Sequence, residues 1–204
     1  MRITKIEVQQ KRKDRYNIYI DDEFRFGLDE GTIARLGLYE KMEIDNDLIF
    51  KIENEEVFSK AMNSSFSFLK ARVRSRKEIF DKLKTKDYSD KIIDDVLNRL
   101  EELDFVNDEK FAQSFVSDRM KLKPKGKKIL NFELKNKGIS DLIIEKVLSE
   151  NMTEEKEEIL ISGLLEKLER KYFGYSEAEK KEKTIKYLLN KGFLWDNIKK
   201  VVDK

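Results

Sequence analysis

The sequence predicts a mainly α protein, in which a small N-terminal three-stranded β-sheet is followed by tandem three-helix repeats forming an elongated array. Three observations predict it. The first thirty residues alternate apolar and polar side chains at period two, whereas the chain from about Val57 keeps a helical period. The helical part repeats itself about every fifty residues. One proline and eight glycines in 204 residues leave little material for loops, and 41% charged residues demand more surface than one compact core offers.

The strands come first. ITKIEVQQ, YNIYID and FRFGL are short and rich in β-branched and aromatic residues, with Ile6/Val8, Tyr16/Ile18/Ile20 and Phe24/Phe26/Leu28 spaced to share one face. The polar joints KRKDR and DDE suit hairpin turns. Three strands are too few to be stable alone, so the amphipathic stretch Ile33–Leu38 and the segment to Phe50 are expected to cover the apolar face.

Helices follow, expected over 57–73, 76–86, 90–103, 108–121, 127–137, 141–150, 154–173, 177–191 and 196–203. SRKEIFDKLKTKDYSDKIIDDVL (75–97) lies without a gap over GKKILNFELKNKGISDLIIEKVL (126–148), at an offset of 51. Ile79 falls on Leu130, Leu83 on Leu134, and Ile93/Val96/Leu97 on Ile144/Val147/Leu148. A third copy, TIKYLLNKGFLWDNIKKVV (184–202), matches the second at an offset of 54. Ser75 with Glu78 and Ser176 with Glu179 have capping-box spacing, and Ser89, Asn107 and Ser140 stand where N-caps belong. Gly138 and Gly192 close helices, with Asp87 at the corresponding place in the first unit. The expected division is 1–56 for the β-rich domain with its covering helix, then repeats at 57–107, 108–153 and 154–204.

Composition excludes several chemistries. There is no cysteine and no histidine, which removes disulfides, thiolate or Ser-His nucleophiles and zinc sites built from those ligands. No grouping of acids marks a magnesium site or a desolvated acid/base pair, so neither cofactor nor metal is expected and the protein is read as a non-enzyme. No stretch approaches the ~20 apolar residues of a membrane span, and MRITKIEV lacks the apolar run of a signal peptide. A cytoplasmic monomer is the expectation.

The net charge of +2 hides segregation. Residues 57–86 and 119–137 are strongly basic; 101–118 and 150–158 are acidic; 180–191 is basic again. Such blocks suit separate patches for separate partners. LKPKGKK (122–128) lacks the second glycine, the hydroxyl and the upstream strand of a phosphate-cradling P-loop. It reads as a helix joint carrying cations: Arg119, Lys121, Lys123, Lys125, Lys127 and Lys128, with Gly126 allowing a backbone to approach a phosphate. The equivalent joint of the first unit carries Lys70, Arg72, Arg74, Arg76 and Lys77, and the third unit offers Lys180, Lys181 and Lys183. Lysines at one joint ordinarily only solubilise a turn. Their recurrence at two points makes a phosphate contact the candidate function. Phe66, Phe68, Phe80, Phe111 and Phe115 have core spacing, and Tyr172, Tyr175 and Trp195 fit packing between helices, so no base-stacking platform is marked. Acidic runs read as solvated faces.

In combination, DRYNIYIDDEFRFGLDE, Arg74-Ser75 with Glu78 and Leu83, Asp108-Glu109 with Phe111-Ala112, Arg119, Gly126, Glu133-Leu134, Lys137-Gly138-Ile139 and Gly192-Phe193 resemble the RecX family of bacterial recombination regulators. Asn107 stands where that family often has aspartate. The resemblance implies tandem three-helix modules that form an elongated, curved array and bind the RecA recombinase and its filament on single-stranded DNA. It also implies inhibition of ATP hydrolysis and strand exchange, a part in DNA repair, recombination and the SOS response, and direct DNA binding by some members. The alternative is an autonomous nucleic-acid-binding helical-repeat protein indifferent to the recombinase.

Overall fold

The computed structural model describes residues 1–203. Three antiparallel strands, β1 (Ile3–Val8), β2 (Arg15–Ile20) and β3 (Glu23–Asp29), form a meander. Ten helices follow: α1 (Glu30–Leu36), α2 (Asn46–Leu69), α3 (Arg76–Lys84), α4 (Asp90–Glu102), α5 (Asp108–Leu122), α6 (Lys127–Asn136), α7 (Asp141–Asn151), α8 (Glu154–Lys171), α9 (Glu177–Asn190) and α10 (Trp195–Val202). The chain divides into two compact units, Met1–Ala71 with Lys82–Arg99, and Arg72–Asp81 with Leu100 onward.

In the first unit, Ile3, Ile18, Phe26 and Leu28 form one core with Leu38, Ile44 and Ile52. The alternation expected for Phe24/Phe26/Leu28 is broken. Ile18 pairs with Phe26 while Tyr19 pairs with Phe24, so Arg25 is an extra residue in a β-bulge. One inserted residue turns Phe24 to the opposite face, where its ring meets Tyr19 edge-on at 6.0 Å and is 58% exposed. A second bulge between Ile3 and Lys5 has the converse effect, keeping Ile3 and Ile6 in the same cluster three residues apart.

The helix expected over 57–73 starts at Asn46 and stops at Leu69. Asp45 is the reason for the early start, since its carboxylate accepts from the Leu48 amide as an N-cap. The segment to Phe50 is thus the first turn of a long helix whose Ile52 is sealed in the sheet core.

The repeat is written in the burial pattern. Ile79 and Leu130, Leu83 and Leu134, Ile93 and Ile144, Val96 and Val147, and Leu97 and Leu148 are all buried, as are Leu188, Phe193 and Ile198 in the third copy. Removing a side chain of this kind from water stabilises the fold by roughly 1.5–3 kcal/mol. Gly138 and Gly192 end their helices at φ +80° and +83°, and Asp87 takes the same left-handed turn at φ +61°. Ser176 and Glu179 form the complete capping box. Ser75 completes only half of one: its hydroxyl accepts from the Glu78 amide at 3.2 Å, while the Glu78 carboxylate is engaged elsewhere.

Candidate nucleic-acid interface

Two helix joints in the second unit share a construction. At the first, the Ser75 hydroxyl donates to the Lys137 carbonyl at 2.8 Å, and the Arg76 amide, at the start of α3, donates to the Asp108 carboxylate at 2.8 Å. At the second, the Gly126 amide donates to the Lys191 carbonyl at 2.9 Å, and the Lys127 amide, at the start of α6, donates to Glu157 at 3.3 Å. Each joint thus binds a Lys-Gly turn of a later helix and places a carboxylate at a helix N-terminus, where exposed amides and the helix dipole favour negative charge.

Gly126 is buried. A Cβ on it would collide with the backbone of Gly192 and Phe193. The glycine therefore serves a backbone crossing within the chain, which corrects the expectation that it admits a phosphate. Glu157 corrects the reading of 150–158 as a solvated face: it is 2% exposed, and its second oxygen accepts from Asn197 at 2.5 Å. The signal was available, because Glu157 occupies the apolar stripe of α8 with Ile161, Leu164 and Leu168.

Carboxylates neutralise many of the candidate cations. Glu78 receives a two-pronged bond from the Arg72 guanidinium, both at 2.9 Å, and Lys137 Nζ at 2.5 Å. Glu133 is bound by Arg119 Nε at 3.1 Å and by Lys125. Burial pushes both carboxyls up, but their cationic partners outweigh it and hold them below the ordinary glutamate range. Arg119 also lies over the Phe115 ring, 4.7 Å from its centre. A cleft of about 450 Å³ is lined by Arg72, Arg119, Lys137 and Phe115, so its cations are those already held by the two glutamates.

Arg76 pairs with Glu101 at 2.8 Å, Lys77 with Asp81 at 3.3 Å, Lys180 with Glu177 at 2.6 Å and Lys181 with Asp203 at 2.7 Å. Asp108 is half-buried; burial and the nearby Glu101 charge raise its pKa against the opposing bond from the Arg76 amide. Arg74 is half-buried, and burial with the neighbouring Arg72 charge lowers its pKa. Among the described residues, Lys121, Lys123, Lys127 and Lys128 have no carboxylate within ion-pair distance, nor does Lys70 at the end of α2. Lys183 instead sits 4.5 Å over the Tyr175 ring. The unneutralised positive charge thus gathers at the second joint. Sequence reasoning named the cations but missed the carboxylates that pair with half of them.

No helix of the described residues is long and apolar enough to cross a membrane, and they hold no group of three or more metal-ligating side chains. Residues 1–45 match the family description "Regulatory protein RecX N-terminal domain", 61–100 "RecX, first three-helix domain" and 107–148 "RecX, second three-helix domain". The "Regulatory protein RecX" of Leuconostoc mesenteroides is 34% identical over 203 residues, covering 100% of this chain and 75% of that protein. That of Bacillus subtilis is 35% identical over 202 residues, covering 99% and 76%. A crystal structure of regulatory protein RecX superposes with a TM-score of 0.87 at 29% identity, covering 100% of this chain and 99% of that one. RecX from Lactobacillus salivarius superposes over 73% of this chain at 0.68, with 34% identity.

Proposed function

We propose, since this chain belongs to the RecX family of regulatory proteins, that it binds the RecA recombinase and its filament on single-stranded DNA and lowers the filament's ATP hydrolysis and strand exchange. It acts by binding, without catalysis, as a cytoplasmic monomer. Its four modules are the β-rich 1–56 and the repeats 57–107, 108–153 and 154–204. The observation that carries the reading is kinship with named regulators over nearly the whole chain. The basic joint adds a physical means of engaging a nucleoprotein: Lys121, Lys123, Lys127 and Lys128 are the cations best able to displace counterions from phosphates, since no carboxylate competes for them.

The test is a titration of ATP hydrolysis by filaments preformed on single-stranded DNA. Sub-stoichiometric protein should slow hydrolysis. Unchanged hydrolysis together with unchanged filament length would sink the reading. Tight, salt-sensitive binding to bare nucleic acid with no effect on hydrolysis would favour the autonomous nucleic-acid-binding protein instead.

A further inference from the structure

The α8–α9 turn carries a second arrangement that the basic joint does not explain. Residues Lys171–Ser176 read KYFGYS, and Gly174 takes φ +94°, a left-handed conformation that bends the chain sharply. Phe173 stands on this turn with 88% of its surface exposed and, among the described residues, no ring or cation against it. Behind it runs an unbroken row of rings and cations. Lys183 lies 4.5 Å from the Tyr175 ring centre; Tyr175 meets Tyr172 edge-on at 6.2 Å; Lys171 lies 5.4 Å from Tyr172 and 5.5 Å from Tyr187; Lys191 lies 5.4 Å from Tyr187. Tyr187 and Lys191 then line a cavity of about 220 Å³ with Lys125 and Ile129, residues of the basic joint and of α6.

Two of the acids at this end are already engaged. Glu177 is held by Lys180 at 2.6 Å, and Glu179 closes the capping box with Ser176. Lys171, Lys183 and Lys191 have no carboxylate within ion-pair distance among the described residues. An apolar protein pocket would match bare rings with a neutral rim. Rings alternating with unneutralised ammonium groups match a chain whose own units alternate a flat aromatic face with an anion.

We propose that the α8–α9 turn and the tyrosine–lysine row bind single-stranded nucleic acid, with unpaired bases stacking on Phe173 and Tyr175 and phosphates meeting Lys171, Lys183 and Lys191. The strand then continues towards Lys125 and the basic joint. A duplex keeps its bases stacked inside and cannot use the rings, so the turn selects single strands, while the joint reads charge alone. This assignment is independent of the recombinase reading, because the assay below contains no recombinase.

The experiment measures anisotropy of three labelled probes of equal length: oligo-dT, an abasic strand and a duplex. Phe173→Ala with Tyr175→Ala should weaken oligo-dT binding about tenfold or more, since stacking on each ring contributes independently of sequence. The duplex and abasic affinities and the salt slope should stay as in the unaltered protein. Phe173→Trp should retain oligo-dT binding. Phe173 and Tyr175 are exposed, and an unchanged thermal transition confirms that the variants fold. Three results would overturn the proposal: equal binding of oligo-dT and the abasic strand by the unaltered protein, no effect of the double substitution, or an equal loss on the duplex.

Discussion

The Ser75 joint and the Gly126 joint carry the same two bonds, yet they differ in closeness and in charge. At the first, a serine side chain spans the gap to the Lys137 carbonyl, and Arg72, Arg76 and Lys77 are matched by Glu78, Glu101 and Asp81. At the second, the backbone amide itself makes the bond, no side chain fits between the two backbone segments, and four lysines are left without a carboxylate. The difference separates two tasks that the sequence had merged. Both joints hold helices together, but the second has four lysines without a carboxylate where the first has Lys70.

The largest expected effect tests closeness. Gly126→Ala places a methyl group where the Gly192 and Phe193 backbones already lie, and backbone has no rotamer with which to give way. A loss of about 3 kcal/mol in urea denaturation is expected, at the upper end of what overpacking costs. Ser75→Ala, at the looser joint, removes one buried hydroxyl bond and an N-cap and should lose only about 1–2 kcal/mol. Equal losses at the two sites would erase the contrast.

Next comes the buried carboxylate. Glu157→Ala leaves Asn197 and the Lys127 amide without an acceptor inside the protein, which should cost about 2 kcal/mol in the same measurement. A loss below about 0.5 kcal/mol would show that water replaces the carboxylate and that the second joint does not depend on it.

The charge contrast predicts a smaller change, read in binding. Changing Lys121, Lys123, Lys127 and Lys128 together to glutamine should lower affinity for duplex DNA roughly tenfold, about 1.4 kcal/mol, and flatten its salt dependence. Changing Arg72, Arg76 and Lys77 should leave the slope nearly unaltered, because those cations already have protein counterions. Identical slopes for the two sets would mean that neutralisation within the fold does not decide which joint meets phosphate.

The repeat, the helix-ending glycines and most caps were legible in the sequence because they depend on local spacing. Leu83 and Leu134, or Gly138 and Gly192, carry their roles in their own neighbourhood. What was not legible depends on partners far along the chain. Glu78 meets Lys137 fifty-nine residues away, and Gly126 meets Gly192 across sixty-six. The bulge at Arg25 adds one residue to a strand without any composition cue, so the period-two pattern assigned Phe24 to the wrong face. Asp45, by contrast, was a readable N-cap ahead of Ile49 and Ile52; the change from strand to helix was simply set too late.

The smallest effect concerns acid, and it distinguishes carboxylates within the joints. Glu78 and Glu133 have depressed pKa values in the fold, against a reference near 4.3. Their contribution to stability is therefore present above that reference and lost as pH falls through the lower folded value. Asp108 runs the other way: its pKa is raised above a reference near 3.9, so the folded state holds its proton more tightly and gains stability as pH falls through that raised value. Glu133→Gln should accordingly flatten the acid limb of a stability–pH profile, and Glu78→Gln should do the same. Asp108→Asn keeps an oxygen to accept from the Arg76 amide and should lose little at neutral pH while steepening the acid limb. If Glu133→Gln leaves the acid limb unchanged, Arg119 and Lys125 are not stabilised by that carboxylate and belong with the unneutralised lysines after all.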